Sequence, residues 1–246
     1  MPDSSPTAVV TGAGRGFGRA IATALVAGGV HVVGVARHED ALDAVRDDLG
    51  GLFTSVAGDA TDDALAHDVI RRYRPGLLVL NAGAAPHIAP VHEQTWESFS
   101  RNWNTDTRHA FAWTRAALRE PLAPGSVVVA MSSGAVLAGS PLSGGYASAK
   151  AAVRYLSRYA AEESARAGLG IRFVALLPQL TPATALGSGA VEAYAARAGI
   201  RRDAFVDGLQ PVLTAEQVAK AVVHVAGDPD AGAEYRLDGA GLHLLP

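Results

Sequence analysis

The stretch Thr7–Gly18, with the sequence TAVVTGAGRGFG, decides the fold. A short apolar run is followed directly by a cluster of glycines, and good helix formers continue from Arg19 to Ala27. A strand, a glycine turn and a helix in this order suit a pyrophosphate, because glycines let the backbone approach and the helix N-terminus offers free N–H groups. The spacing departs from G-x-G-x-x-G, since Phe17 stands where the last glycine would be. We therefore expect a nucleotide-binding loop here, formed by Gly12, Gly14, Arg15, Gly16, Phe17 and Gly18.

Outward from this stretch, apolar strand-like runs alternate with helical patterns along the whole chain. The predicted strands are residues 7–10, 31–36, 52–57, 77–80, 126–131, 171–177 and 234–237. The predicted helices are residues 19–27, 39–49, 62–72, 96–103, 105–119, 145–167, 184–198 and 215–226. This alternation predicts an α/β fold, with a parallel sheet that is covered by helices on both faces.

Composition narrows the class of protein. The chain has 246 residues, of which 49% are hydrophobic and 18% charged, and residues 1–246 are expected to form a single domain. The net charge is -3 and basic residues form no block, so we expect neither a nucleic-acid nor a membrane partner. Cysteine is absent, and neither a signal peptide nor a long apolar run is seen. We expect a cytoplasmic protein.

A second informative stretch is Tyr146–Lys150, with the sequence YASAK. On a helix, a phenol and an ammonium four residues apart lie on one face. A nearby cation favours the ionised form of a phenol, and a tyrosine tuned in this way can exchange a proton with an alcohol or a carbonyl. Such pairs also occur by chance, so the interpretation depends on the surrounding motifs.

Taken together, the motifs resemble the classical short-chain dehydrogenase/reductase family. They are TGAGRGFG, LNAG at residues 80–83, Asn104, Ser133 and Tyr146-x3-Lys150, and with the last strand they extend from Thr7 to about Gly239. The resemblance implies a Rossmann-type, doubly wound parallel sheet of about seven strands and a nicotinamide cofactor. It also implies a homodimer or homotetramer.

Ser133 follows the fifth predicted strand, at the sheet edge where ligands bind in such folds. Its hydroxyl can donate to a substrate carbonyl while Tyr146 protonates the same oxygen. By resemblance, Lys150 also holds the nicotinamide ribose, and Asn104 is the fourth catalytic residue, whose backbone helps to hold a water in a proton relay with the lysine. Ser132 is the alternative serine, both serines could be turn residues, and Asn104 could be a helix cap.

The second strand favours NADP(H). It ends without an acid, and Arg37 follows it, while Arg15 lies in the glycine loop. Two guanidinium groups suit a ribose 2′-phosphate better than a hydroxyl, although both could be solvated surface residues. Asp40, the nearest acid, is placed in the next helix. By resemblance, the remaining cofactor residues are Asp59, which could instead be a helix cap, and Ala60, Asn81, Ala82 and Gly83.

One motif departs from the family. After the sixth strand the chain has Pro178-Gln179, where the family usually has Pro-Gly. Gln179 is bulkier and brings an amide donor and acceptor. Pro178, Gln179 and Thr181 are expected to contact the cofactor. Thr184 is the alternative to Thr181 for the threonine that meets the nicotinamide carboxamide.

Three segments are expected to surround the substrate: residues 84–91, 134–144 and 181–208, the last as a helical lid. The second has no Arg or Lys, which favours a neutral, fairly apolar compound. Arginines of the lid are expected in solvent, and His87 and His92 lack a third ligand, so no metal is predicted.

The expected function is NADPH-dependent reduction of a small to medium, fairly apolar ketone or aldehyde. The alternatives are the same hydride machinery on an imine or enone, an alcohol dehydrogenase, or a non-catalytic NADP-binding sensor or scaffold. The helices that begin near Thr105 and Gly145 are apolar over more than one face, which favours packing against a second subunit.

Overall fold

The computed structural model describes residues 6–246, and these residues form one sheet with helices on both faces. The strands are β1 (Thr7–Thr11), β2 (His31–Ala36), β3 (Phe53–Ala57), β4 (Leu77–Leu80), β5 (Val127–Met131), β6 (Arg172–Pro178), β7 (Glu234–Asp238) and β8 (Gly241–Leu244). The α-helices are α1 (Gly16–Ala27), α2 (Glu39–Leu49), α3 (Asp63–Tyr73), α4 (Trp96–Asn102), α5 (Arg108–Arg119), α6 (Ala135–Ala138), α7 (Gly144–Arg166), α8 (Ala185–Ala198), α9 (Arg202–Asp207) and α10 (Ala215–Gly227).

The strand order across the sheet is β3-β2-β1-β4-β5-β6-β7-β8. The first seven strands are parallel, as predicted, and Val9 of β1 pairs with Val33 of β2 and with Leu78 of β4. The chain therefore reverses its direction of strand addition between β1 and β4. A crevice opens at such a switch point, at the carboxyl ends of the strands, and this is where α/β sheets bind their ligands.

The eighth strand is a difference from the expected count of about seven. β8 runs antiparallel to β7, and Asp238 is paired with Gly241 across the turn. The Asp238 carboxylate accepts hydrogen bonds from the backbone N–H groups of Ala240 and Gly241 at 2.9 and 3.2 Å. Because this two-residue turn reverses the chain, the residues after Gly241 extend the sheet instead of leaving it.

The sheet is buried on both faces because successive strand residues alternate between two hydrophobic clusters. Ala8 and Val10 pack with α1 and α10, whereas Val9 packs with α3, α5 and α7. All five residues of β5 are buried. The continuous apolar runs seen in the sequence are thus the central strands.

The structure adds two short helices, α6 and α9, to those predicted, and several helix ends differ by a residue. Two larger differences bear on the site. α1 begins at Gly16, inside the glycine loop, so its N-terminus lies directly beside the loop. The two helices predicted at residues 96–103 and 105–119 are α4 and α5, joined without a break by a π-helical turn at Trp103–Thr107. A π turn adds a residue to the helical repeat and changes which side chains face the core.

Among residues 6–246, no helix is both long and apolar enough to cross a membrane.

Candidate active site

One large cavity, of about 1340 Å³, lies over the carboxyl ends of the parallel strands. Nearly all of the predicted site residues line it. They are Gly12, Gly14, Arg15, Gly16, Phe17, Arg37, Asp59, Ala60, Asn81, Ala82, Gly83, Ser133, Tyr146, Lys150, Pro178, Gln179 and Thr181. Two predicted residues, Gly18 and Asn104, do not line it.

The glycine loop needs its glycines for two different reasons. Gly12 and Gly16 have φ of +69° and +54°, a left-handed backbone that side chains other than glycine rarely adopt. Gly18 lies beneath the loop, where a Cβ atom would be 2.1 Å from the carbonyl oxygen of Gly12. Gly18 therefore shapes the loop from below, although it does not face the cavity.

Asn81 joins the end of β4 to this loop. Its Nδ2 donates to the carbonyl oxygen of Thr11 at 3.0 Å, and its backbone N–H donates to Thr11 Oγ1 at 2.9 Å. Thr11 Oγ1 in turn donates to the carbonyl oxygen of Val79 at 3.1 Å. These contacts fix the crevice between β1 and β4, so Asn81 acts here through the protein backbone.

At one end of the cavity, Arg15 and Arg37 are both exposed. Among the residues that the structure describes, neither forms an ion pair. Asp40 is the second residue of α2 and also lines this end. The Asp59 carboxylate accepts from the backbone N–H of Thr61 at 2.8 Å, and this bond together with the charge of Arg37 lowers the pKa of Asp59. This end of the cavity thus carries two guanidinium groups that form no ion pair with any residue the structure describes.

At the other end, Tyr146 and Lys150 lie on the first turns of α7, with Lys150 Nζ 5.8 Å from the ring centroid of Tyr146. Ser132 and Ser133 follow β5 and face them. Ser132 Oγ donates to the carbonyl oxygen of Lys150 at 2.8 Å, so its hydroxyl proton is used in a hydrogen bond to α7. Ser133 Oγ accepts from the N–H of Ala135 at 3.2 Å and keeps its own proton for another acceptor. The geometry therefore favours Ser133 over Ser132 as the donor.

The structure does not bring Asn104 to this centre, which corrects the sequence-based assignment. Asn104 is exposed within the π turn, whereas Asp106, two residues later, is buried and lines the cavity. The reason is the phase of the helix. Asp106 continues the buried stripe of His109 and Trp113, while Asn104 lies on the side of exposed Phe111.

Asp106, His109 and Asn102 were not predicted, although a signal exists in the sequence. Asp106, Ala110 and Trp113 have the i, i+4, i+7 spacing of one helix face, and Asn102 is four residues before Asp106. The helical spacing thus indicates Asp106, and not Asn104, as the polar residue on the buried face.

The group around Lys150 is strongly buried. Asp106 Oδ2 lies 3.3 Å from Lys150 Nζ, and Lys150 Nζ donates to the carbonyl oxygen of Met131 at 3.0 Å. His109 also lines the cavity, and its burial, together with the charge of Lys150, lowers its pKa to about 3. His109 is therefore neutral at physiological pH, and its buried Nε2 has no hydrogen-bond partner among residues 6–246.

The residues after β6 line the centre of the cavity. Gln179 is half-buried, and its backbone N–H donates to the carbonyl oxygen of Leu237 at 2.7 Å. Thr181 Oγ1 donates to the carbonyl oxygen of Leu213 at 2.5 Å, so its proton is already used. Thr184 Oγ1 accepts from the N–H of Gly187 at 3.1 Å, as the N-cap of α8. Of the two threonines, Thr184 therefore keeps a free donor.

The far end of the cavity is mainly apolar. It is lined by side chains from α6, α8 and α9 and from nearby loops, among them Leu137, Leu186, Tyr194, Phe205 and Leu209. The rings of Tyr194 and Phe205 stack with centroids 6.2 Å apart, and the Tyr194 hydroxyl is hydrogen-bonded to Ser140. Arg197 and Arg201 are exposed, as expected, whereas Arg202 is half-buried and forms an ion pair with Glu192 at 3.3 Å. None of the three lines the cavity.

Comparisons with known proteins agree with this architecture. A family profile described as short chain dehydrogenase matches residues 6–194. The NADPH-dependent pterin aldehyde reductase of Arabidopsis thaliana is 30% identical over 181 residues, which are 70% of this chain and 73% of that protein. The 3-oxoacyl-(acyl-carrier-protein) reductase of Escherichia coli (strain K12) is 32% identical over 180 residues, 68% of this chain and 71% of that protein.

A solved structure shares the fold. The crystal structure of levodione reductase matches with a TM-score of 0.82 at 23% identity, and the match covers 96% of each chain. With the profile match over most of its length, this chain belongs to the short-chain dehydrogenase family of oxidoreductases, which bind a nicotinamide cofactor.

Proposed function

We propose that this protein is an NADPH-dependent carbonyl reductase that converts a ketone or aldehyde into an alcohol, with Tyr146 as the proton donor. One observation carries the proposal. The phenol of Tyr146, the free hydroxyl proton of Ser133 and the ammonium of Lys150 line the same cavity as the glycine loop. Proton donors and a dinucleotide-type loop in one space are what a hydride transfer to a carbonyl needs.

The residues fit a dinucleotide phosphate. The positive φ of Gly12 and Gly16 favours glycine in the loop, and the absence of side chains at these positions lets the backbone approach a pyrophosphate. Arg15 and Arg37 offer two charges at the rim, where a 2′-phosphate would be held by charge-assisted hydrogen bonds. We therefore prefer NADP(H) to NAD(H), and the reductive direction with it.

In this mechanism the bound cofactor supplies the hydride, and the chain supplies orientation and the proton. The hydroxyl of Ser133 donates a hydrogen bond to the substrate carbonyl oxygen, where negative charge develops during the reaction. Tyr146 gives its phenolic proton to that same oxygen and completes the alcohol. Lys150 lies beside the phenol with its positive charge and favours the phenolate that this step leaves behind.

The substrate would be a neutral compound of small to medium size. Apart from Arg236, which is ion-paired with Asp238 at 2.9 Å, the far end of the cavity is lined by uncharged side chains. Burial of an apolar body there is favourable, whereas a carboxylate would find no free cation. We propose that residues 181–208, which contain α8 and α9, form the lid over this end.

We also propose that a second copy of the chain covers the outer face of α5 and α7. A shallow apolar groove of about 400 Å³ lies there, lined by Trp103, Phe111, Tyr155 and Leu156 among others. Phe111 is 50% exposed and Tyr155 67% exposed. An exposed apolar patch of this kind is typical of a protein interface. It supports a homodimer, or a homotetramer built from such dimers.

The test is a substrate panel of ketones, aldehydes, quinones, imines and alcohols, followed as the change in NADPH absorbance. We expect turnover of carbonyl compounds with apolar substituents. The variant Tyr146→Phe is expected to lose at least about 100-fold in kcat, because the proton donor is removed. Its NADPH affinity, measured by fluorescence titration, should stay within a few-fold of the wild type.

The panel also separates the alternatives. Turnover confined to imines or enones would mean that one of these groups, and not a ketone or aldehyde, accepts the hydride. Turnover of alcohols alone would mean that the enzyme works as an alcohol dehydrogenase. Tight NADPH binding without turnover of any compound would instead favour a sensor or scaffold. Retention of most activity by Tyr146→Phe would contradict the mechanism.

A further inference from the structure

The mechanism leaves unused a buried carboxylate directly beside the lysine. Asp106 is 1% exposed, and its two oxygens have different partners. Oδ1 accepts from the backbone N–H of Ala84 at 2.9 Å and from Asn102 Nδ2 at 3.5 Å. Oδ2 makes no hydrogen bond by geometry among residues 6–246, and it lies 3.3 Å from Lys150 Nζ. Oδ2 thus faces the lysine alone.

The space around Oδ2 is closed on its other side by Gly83. A Cβ atom at that position would be 3.0 Å from Oδ2, so the glycine at the end of the LNAG motif makes room for the carboxylate. The Asn102 amide, held by the carbonyl oxygen of Ala84 at 2.9 Å, fixes the first oxygen. The carboxylate is therefore oriented by the end of β4 and by the helix that precedes it.

Lys150 needs this partner because it is only 6% exposed. Burial works to lower the pKa of Lys150, but the charge of Asp106 and then that of Tyr146 outweigh it, so the pKa is raised above 10.5. Of the three N–H donors of the ammonium, the carbonyl oxygen of Met131 takes one and Asp106 is placed to take a second. One donor remains for the cavity.

Among the described residues, 6–246, no other buried charged group lies beside Lys150. Tyr146 faces it from its own helix, α7, and Asp106 faces it from the π turn. His109 faces it from α5 and is neutral, since its pKa is lowered to about 3. Asp59, whose charge also reaches His109, lies at the exposed rim. The ion pair between Asp106 and Lys150 is thus the local source of charge balance.

We propose that Asp106 is a positioning residue, whose carboxylate keeps the Lys150 ammonium charged and directed toward Tyr146. The inference rests on the role of Lys150 in the proposed function. A buried ammonium without a counter-charge loses its proton more easily, and its free donors reorient. Asp106 therefore acts on the reaction through Lys150, without contact with the substrate.

The sharpest variant is Asp106→Asn. An amide of the same shape can still accept from Ala84 at Oδ1, but it turns an NH₂ group toward an ammonium that is itself a donor. In this variant Lys150 is still buried, but it no longer has the Asp106 carboxylate as its counter-charge. The matched control is Asp63→Asn, which removes an exposed carboxylate whose partner, Arg115, is 3.5 Å away at the surface.

The first measurement is the pH profile of kcat/KM for the best substrate of the panel. The wild type should keep its activity to alkaline pH, whereas Asp106→Asn should lose it at least about one pH unit earlier, as Lys150 is deprotonated. Asp63→Asn should follow the wild type. An unchanged alkaline limb in Asp106→Asn would overturn the proposal, because a merely structural role would lower activity at all pH values alike.

The second measurement needs no activity. Urea unfolding midpoints of Asp106→Asn, Lys150→Met and the double variant form a double-mutant cycle. Each single change leaves one buried charge without its partner, whereas the double change removes both charges. The loss of stability in the double variant should therefore be smaller than the sum of the losses in the two single variants. Additive losses would overturn the pairing. If Asp106→Asn fails to fold, recovery of folding in the double variant gives the same support, and its failure contradicts the proposal.

These readouts separate this inference from the proposed function. If the wild type turns over no carbonyl compound, the proposed function fails, and the unfolding cycle still decides whether Asp106 and Lys150 are coupled. The pH dependence of unfolding then replaces the activity profile. Between pH 7 and 10 the midpoint of Asp106→Asn should approach that of the wild type, because its unpaired lysine sheds its charge. A constant gap would count against the inference.

Discussion

At the scale of single residues, Arg37 gives the most direct test of the preference for NADPH over NADH. It directly follows β2, lines the cavity, and forms no ion pair among residues 6–246. A charge-assisted hydrogen bond to a phosphate is worth about 1.5–3 kcal/mol. That energy is enough to decide between two cofactors that differ by one phosphate group.

We therefore expect Arg37→Asp to weaken NADPH binding by roughly 10- to 150-fold. A carboxylate can bond a ribose hydroxyl but repels a phosphate, so NADH binding should improve or stay the same. Dissociation constants for both cofactors, from fluorescence titration, give the answer. Arg46→Ala, which removes an arginine of α2 that does not line the cavity, is the control. Tighter binding of NADH than of NADPH by the wild type would contradict NADP(H) preference.

His109 predicts an acid limit for stability. Its pKa falls from 6.5 to about 3 in the folded protein, chiefly because it is buried. Above pH 6.5 the side chain is neutral in both states. As the pH drops below 6.5, the unfolded chain takes up a proton that the folded protein refuses, so the free energy of unfolding falls by up to about 1.4 kcal/mol per pH unit.

His109→Gln should flatten this acid dependence between pH 6.5 and 4, whatever it costs in stability at neutral pH. Urea unfolding at several pH values measures the slope directly. His92→Gln, at an exposed histidine beside Glu93, should leave the slope unchanged. An equal slope in His109→Gln and the wild type would show that other groups set the acid limit.

Some site residues could be predicted from the sequence, and others could not. Ser133, Tyr146 and Lys150 could be found because they stand at fixed distances from strands that are easy to recognise. Asn104 is the residue that the resemblance to the family indicates, but in the π turn it lies at the surface, and Asp106 lies on the buried stripe. Hydrogen bonds such as that from Ser132 to Lys150 depend on tertiary geometry, so the spacing of residues in the sequence does not predict them.

At the scale of elements, the junction between β1 and α1 is the least tolerant part of the fold. Gly18 lies in the first turn of α1, against the carbonyl oxygen of Gly12. Any side chain there must displace backbone atoms. The helix cannot move away alone, because Ile21 and Leu25 of α1 are buried in the core.

Gly18→Ala should therefore destabilise the protein by about 1–3 kcal/mol and weaken NADPH binding, because the added methyl overpacks the loop. Gly189→Ala is the matched control: it lies in α8, and a Cβ atom there meets nothing within 4 Å. That change should stabilise by about 0.5–1 kcal/mol, since alanine favours a helix. Urea unfolding and NADPH titration compare the two variants. Equal effects would refute the steric argument.

At the scale of the whole molecule, the alternation of strands and helices was predictable from the sequence. Continuous apolar runs such as Val127–Met131, bounded by turn residues and alternating with helical patterns, are typical of strands buried on both faces, and the glycine loop indicates the first strand. β8 was missed because its four residues are half-buried or exposed and follow a turn that could also end the chain's structure. Its pairing with β7 depends on the tertiary structure and cannot be predicted from the local sequence.

The proposed second copy of the chain is testable at this scale. Phe111→Glu places a charge in the apolar groove of α5 and α7, where burial against another subunit would leave it unpaired. We expect dissociation to monomers in size-exclusion chromatography with light scattering. Val91→Glu, at a residue that is 76% exposed and lies outside this groove, is the control. An unchanged mass in Phe111→Glu would place the interface elsewhere or exclude it.

The fully buried Trp113 has a further consequence. Its indole N–H donates to the carbonyl oxygen of Ala60, at 2.8 Å, and Ala60 lines the cavity on the side of Asp59. Trp96 and Trp103, by contrast, are exposed. The protein therefore contains its own optical reporter: reduced nicotinamide absorbs where indoles emit, so the shielded emission of Trp113 should be quenched as the cofactor enters. Iodide in solution can quench the emission of Trp96, which lies outside the proposed interface, so that the emission of the shielded indoles follows cofactor binding in real time.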